Sequence, residues 1–108
     1  AETNAMVAIN VPGLEGNAAV GGRIFETACA SCHGTMGTGN EDAGPPLIHK
    51  IYEPGHHGDE SFQRAVATGV RSHHWRFGDM APVPGLTRGD VAMIIAYIRT
   101  IQRANGIQ

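Results

Sequence analysis

Cysteine is scarce in this 108-residue chain: there are two, Cys29 and Cys32, three positions apart, so a framework of several disulfides is excluded. Charge of one sign is also missing. Eight Lys and Arg stand against ten Asp and Glu, a formal net charge of −2, and the basic residues are scattered. Nothing therefore points to nucleic acid or a lipid surface as partner. No run of about 18 apolar residues occurs, which argues against a transmembrane helix. The opening AETNAMVAIN has neither a basic stretch nor a continuous apolar one, and its leading Ala fits a signal peptide already removed. No segment alternates apolar and polar residues with period two, so a sheet is not expected. Large rings are few: three Phe, two Tyr and one Trp in a chain that is 42% apolar. This shortage of core fillers raises the expectation that a flat apolar cofactor occupies part of the interior.

What the chain does have is glycine, 15 residues, and six prolines, which imply long loops. Its length suits one domain. We read residues 1–16 as an N-terminal extension, poorly ordered or packed on the surface, and residues 17–108 as a single domain. Three main helices are expected. The first is NAAVGGRIFETACASCH, with Val20, Ile24 and Ala28 recurring every four residues, Phe25 and Cys29 beside them and Asn17 as N-cap. Gly21 and Gly22 each cost about 1 kcal/mol relative to Ala in a helix, which suggests that another backbone crosses there. In the second, DESFQRAVATGV, Phe62, Ala65, Val66 and Gly69 share a face, with Asp59 as N-cap and Gly69 as stop. In the third, LTRGDVAMIIAYIRTIQRANG, Thr87 and Asp90 form a capping-box-like start. Val91, Ile94, Ile95, Ile98 and Ile101 line one face, and Gly106 stops it. The fold class is all-α. Loops as long as GTMGTGNEDAGPP and RSHHWRFGDMAPVPG need an organiser.

The chemistry concentrates in TACASCHG, residues 27–34. On a helix or its last turn Cys29, Cys32 and His33 project from one side. Two such thiols can add to the two vinyl groups of one haem, and the adjacent imidazole can reach the iron; CxxCH is the attachment pattern for haem c. Other uses of the cluster lack support. Structural zinc needs four ligands, and the pairs His56/His57 and His73/His74 are adjacent, which is poor geometry. A thioredoxin-like site would follow a strand, and a disulfide across three residues would stabilise little.

Several separate places then coincide. GGRIF, CHGTMGTGNEDAGPPL, MAPVPGLT and DVAMIIAYI together resemble a class I c-type cytochrome, a small monohaem cytochrome c, over residues 20–103. The resemblance implies the cytochrome c fold, three main helices and long loops around one covalently bound haem, with the terminal helices crossing at Gly21 against Ile94 and Tyr97. It also implies a role for Pro45, whose backbone carbonyl would hold the second ring nitrogen of His33. Four methionines compete for the sixth iron position. Met6 belongs to an expected frayed terminus, Met36 is too near His33 to reach the opposite face, and Met93 reads as core packing. Met80, in a Gly- and Pro-rich loop, matches the family's ligand. One departure is Ala81, where many relatives carry proline; Pro82 and Pro84 still constrain the loop.

In HHWRFGD, Trp75 and Arg76 are candidate donors to a haem propionate. His49, His56, His57, His73 and His74 read as surface residues, or else as a docking patch whose charge changes between pH 5 and 8 or as a replacement for Met80. The expected site is thus Cys29, Cys32, His33, Met80, Pro45, Trp75 and Arg76 for the cofactor, with His33 and Met80 on the metal and no catalytic residue. The expected function is one-electron transfer by a carrier, not catalysis. It implies transient redox donor and acceptor proteins, a monomer, and a periplasmic location. The alternatives are a haem subunit of a larger oxidoreductase, or a gas-sensing or peroxidase-like haem protein with His73 or His74 over an open iron.

Overall fold

The structure is a computed structural model that describes residues 5–71, 75 and 77–108. It is helical, with no strand among the described residues. The helices are α1 (Gly16–Ala28), α2 (Ala30–His33), α3 (Asp59–Thr68) and α4 (Arg88–Ala104), joined by loops that hold two short 3-10 turns, Thr35–Gly37 and Lys50–Tyr52. None of these helices is long and apolar enough to cross a membrane.

α4 is the spine, and its ends follow from local chemistry. Thr87 Oγ1 accepts from Asp90 N at 3.0 Å while Asp90 Oδ2 accepts from Thr87 N at 3.0 Å, so two otherwise orphaned N–H groups are satisfied reciprocally. The stop comes at Ala104, with Asn105 as C-cap and Gly106 one residue further at φ 77°. Val91, Ile94, Ile95, Ile98 and Ile101 are all buried, as the periodicity predicts. Tyr97, Arg99 and Gln102 are buried with them.

α1 crosses α4 where the glycines lie. A β-carbon on Gly21 would run into the backbone of Met93 and Ile94, and one on Gly22 would meet the Tyr97 ring at 2.9 Å. The two glycines thus divide the contact expected of Gly21 alone: Gly21 meets the Ile94 backbone, Gly22 the Tyr97 ring. Phe25, fully buried, stacks obliquely on Tyr97 with ring centroids 5.5 Å apart. Phe25, Ile48, Ile94, Tyr97, Ile98 and Ile101 form the core, and Leu47 and Phe62 pack on it.

Four local expectations need correction. α1 begins at Gly16 with Glu15 as N-cap, so Asn17 lies inside the first turn. α3 begins at Asp59 itself, with Gly58 as N-cap. The first helix also does not run unbroken to His33: Cys29, at φ −123° and ψ −29°, separates α1 from the single turn of α2. Met6, expected to fray, is anchored. Its N–H and that of Val7 donate to the Thr38 carbonyl at 2.9 and 3.2 Å, while Asn10 and Asn105 exchange hydrogen bonds at the far end of α4.

Burial pushes the Tyr97 hydroxyl from 10.0 up to about 12, with the Glu26 carboxylate adding to the shift. The folded state therefore holds this proton more tightly than the unfolded chain does. The stabilisation is complete below about pH 10 and is lost as pH rises towards about 12. Tyr97→Phe is expected to flatten the fall in unfolding free energy across that interval, as measured by denaturant titration at stepped pH. Tyr52, also raised by burial, leaves a residual slope.

Candidate functional site

Below the α1/α4 crossing the core opens into a cavity of about 560 Å³, within the range of about 300–1,000 Å³ usual for small-molecule and cofactor sites. Its floor is apolar, with Phe25, Leu47, Phe62, Val91, Ile94 and Ile98. Its polar residues come from four separate stretches of chain: Cys29 and His33, Pro45 with Tyr52 and His57, the exposed face of α3, and the loop carrying Trp75 and Met80.

Cys29 and His33, four residues apart, reach the cavity from the turn where α1 breaks. Burial raises the Cys29 thiol to about 11, with Cys32 and Glu26 contributing, so it is a neutral thiol at neutral pH. Cys32, on the single turn of α2 past the break at Cys29, stands exposed outside the wall and does not share one side with Cys29 and His33 as expected. The turn is held from outside by the glycine-rich loop. Gly39 N donates to the His33 carbonyl at 2.6 Å, and Gly44 lies so close to the Cys32 carbonyl that a β-carbon there would meet it.

The ring of His33 is fixed by one bond. Its Nδ1 lies 2.9 Å from the Pro45 carbonyl oxygen, which can only accept, so Nδ1 carries the hydrogen and Nε2 keeps its lone pair. Burial lowers the His33 pKa, partly offset by that carbonyl. The imidazole is thus presented neutral, the form in which it ligates metals.

Met80 enters the wall from a loop pinned to the end of α3. Val70 and Met80 exchange backbone hydrogen bonds at 2.9 and 2.8 Å, and Val83 N donates to the Val66 carbonyl at 2.8 Å. Gly69 makes this approach possible. Its φ of 81° ends α3, and a β-carbon there would strike the Met80 carbonyl.

Among the described residues, Arg64 and Arg71 are the formally charged side chains of the wall, which holds no carboxylate. Trp75 also lines it, but its indole N–H is donated to the Tyr52 hydroxyl at 2.9 Å. That hydroxyl keeps its own hydrogen for another acceptor. His49 edges the Trp75 ring at a centroid distance of 5.3 Å and accepts from Ile51 N, capping the Lys50–Tyr52 turn. His57, expected at the surface, instead lines the cavity with its Nδ1 on the Ile51 carbonyl at 2.6 Å. His56 remains exposed beside Glu53. Arg76, His73 and His74 lie outside the described residues.

A protein-family model described as Cytochrome c matches residues 18–102. The chain belongs to the cytochrome c family. The search of curated proteins and that of solved structures each returned no match. Cytochromes c are haem c electron-transfer proteins, and Cys29, Cys32 and His33 supply this cytochrome's CxxCH. The residues present fit that cofactor. An apolar cavity of the right scale has a thiol, a neutral imidazole and a thioether in its walls, a soft donor set suited to haem iron and to thioether attachment. No competing cluster of three or more His, Cys, Asp or Glu exists among the described residues.

Sequence reasoning missed Tyr52, His57 and the two arginines of the wall, together with the buried polar pair Arg99 and Gln102. For the pair a signal was available. Arg99 follows Ile95 by four positions and Gln102 follows Ile98 by four, so both fall along the apolar stripe of α4, where a polar residue needs an internal partner.

Proposed function

We propose that the chain is a one-electron carrier whose haem c is attached through Cys29 and Cys32, with the His33 Nε2 and the Met80 sulfur as axial ligands. The observation that supports this most is the meeting of His33, oriented by Pro45, and Met80, 47 residues later, in the wall of one apolar cavity. When bound, haem supplies an iron that alternates between the ferrous and ferric states.

The chain's residues do the rest. Pro45 holds His33 in one tautomer and one orientation, which lowers the reorganisation needed at each change of state. Met80 contributes a neutral thioether that favours the ferrous state. Phe25, Leu47, Ile94 and Ile98, in the cavity wall, would exclude water from the bound group. Arg64, Arg71 and Tyr52 would offer donors to its carboxylate substituents, with Trp75 holding the Tyr52 hydroxyl through its N–H. His33 and Met80 would hold the iron between them and leave no place on it for a substrate, so the reading is carriage rather than catalysis. Partners would be a redox donor and a redox acceptor, each docking transiently through a small interface. Covalent haem attachment fits a periplasmic carrier acting as a monomer.

Met80→Ala tests the reading. The variant should keep its haem, bind carbon monoxide in the ferrous state and lose reduction potential by tenths of a volt, since axial ligands set potentials over about 0.8 V. The wild-type protein should bind carbon monoxide far more weakly. Equal binding by both would defeat the proposal.

A further inference from the structure

Arg99 is 6% exposed, the most buried cation among the described residues. It comes from the middle of α4 and is not itself in the cavity wall. Its guanidinium reaches four partners. Nε donates to Asp59 Oδ1 at 3.0 Å, Nη1 to the Tyr52 carbonyl at 2.6 Å and to Gln102 Oε1 at 2.8 Å, and Nη2 to the His57 carbonyl. Gln102 doubles the hold, donating to the carbonyls of Leu47 and Tyr52 at 3.0 and 2.9 Å. Both backbone positions grasped by Arg99, Tyr52 and His57, belong to side chains that line the cavity.

A structural tie alone would not need a charge. The neutral amide of Gln102 already holds two carbonyls, and burying a guanidinium carries a desolvation cost that an amide avoids. The compensation of this charge is also lopsided. Asp59, its one carboxylate partner, has a side chain 67% exposed, against 8% for Arg99, so solvent screens the negative partner far more than the positive one. The other three acceptors are dipoles, which soften the charge without cancelling it. The guanidinium lies 4.8 Å from the ring centroid of Phe62, and Phe62 forms part of the cavity wall. A positive field therefore stands directly behind that wall.

We propose that Arg99 is a positioning residue for electron transfer: it fixes the Tyr52–His57 wall by its fork and favours the reduced state of the cavity's occupant by its charge. The inference rests on the haem-carrier reading above. Accepting one electron from a one-electron redox protein, without a proton, lowers the charge in the cavity by one. A fixed cation behind Phe62 stabilises that product relative to the oxidised state. Arg64 and Arg71 act in the same direction from the wall, but Arg64 and Arg71 are exposed and more strongly screened.

The test is a spectroelectrochemical titration of the full haem-loaded chain, paired with an unfolding titration, for Arg99→Lys, Arg99→Gln and Asp59→Asn. Arg99→Lys keeps the charge and loses the fork, so its unfolding midpoint should fall while its potential stays close to wild type. Arg99→Gln should lower both. Asp59→Asn, which removes the exposed counter-charge, should move the potential upward by a smaller amount. Should Arg99→Gln fail to fold, the sign of the shift in Asp59→Asn decides alone. An unchanged potential in folded Arg99→Gln, or an unchanged or lowered potential in Asp59→Asn, would overturn the proposal and leave Arg99 as a structural tie. Failure of the haem-carrier reading is separately visible, as the absence of the sulfur-to-iron absorption band in the wild-type ferric protein.

Discussion

A chain with both Cys29 and Cys32 replaced by alanine, and freed of haem, is expected to lose cooperative folding altogether. The cavity of about 560 Å³ would then have nothing but water to fill it. The apolar walls would lose the surface that covers them, at about 25 cal/mol per Å² of apolar area left in water, against a whole stability of about 5–15 kcal/mol for a typical domain. Helices α3 and α4 would lose their shared packing around the cavity, and the loops on either side of Met80 would lose the surface that organises them. Near-ultraviolet circular dichroism and a denaturant titration make the check. A weak, non-cooperative signal is expected, and a sharp unfolding transition in the stripped variant would show that side chains alone sustain the fold.

The second large effect is expected at Gly21. Gly21→Val would drive a branched side chain into the Met93 carbonyl and the Ile94 nitrogen, backbone atoms fixed within α4 that cannot rotate aside. The helices would have to separate, disturbing the Phe25–Tyr97 contact beneath them. A loss of about 3 kcal/mol or more in unfolding free energy is expected. Gly22→Ala should cost less, because the obstacle there is the Tyr97 ring, which has side-chain freedom. Gly13→Ala, with open space around it, is the neutral control. Equal costs at Gly21 and Gly13 would contradict the crossing geometry.

Much of this architecture could be read in advance because it rests on local chemistry. The Thr87/Asp90 box and the stripe from Val91 to Ile101 are self-contained instructions for α4, and Gly69 marks the end of α3 at the residue where the backbone turns left-handed. Two adjacent glycines in α1 announced a close crossing. What stayed hidden depends on contacts between distant stretches. The break at Cys29 accompanies a loop that folds back onto the CxxCH turn through Gly39 and Gly44, which no periodicity in residues 17–33 encodes. Met6 reads as a loose end until Thr38 is placed beside it.

The candidate site divides in the same way. Cys29, His33, Pro45 and Met80 stood out because each residue type suits its chemistry and the surrounding motifs resemble a known family. Tyr52 and His57 did not stand out, since their place in the wall is set by Arg99 and Gln102 from more than 40 residues away. Trp75 was singled out as a donor, and the partner its N–H finds, the Tyr52 hydroxyl, lies 23 residues upstream.

The central claim is that His33 and Met80 together close the iron of a covalently held haem. An absorption spectrum of the purified chain, taken ferric and then ferrous under carbon monoxide, tests it most directly. The account predicts a weak long-wavelength sulfur-to-iron band in the ferric protein and a ferrous spectrum that carbon monoxide leaves unchanged. No such band, with a ferrous spectrum that shifts under carbon monoxide, would contradict it and show an iron open to ligands.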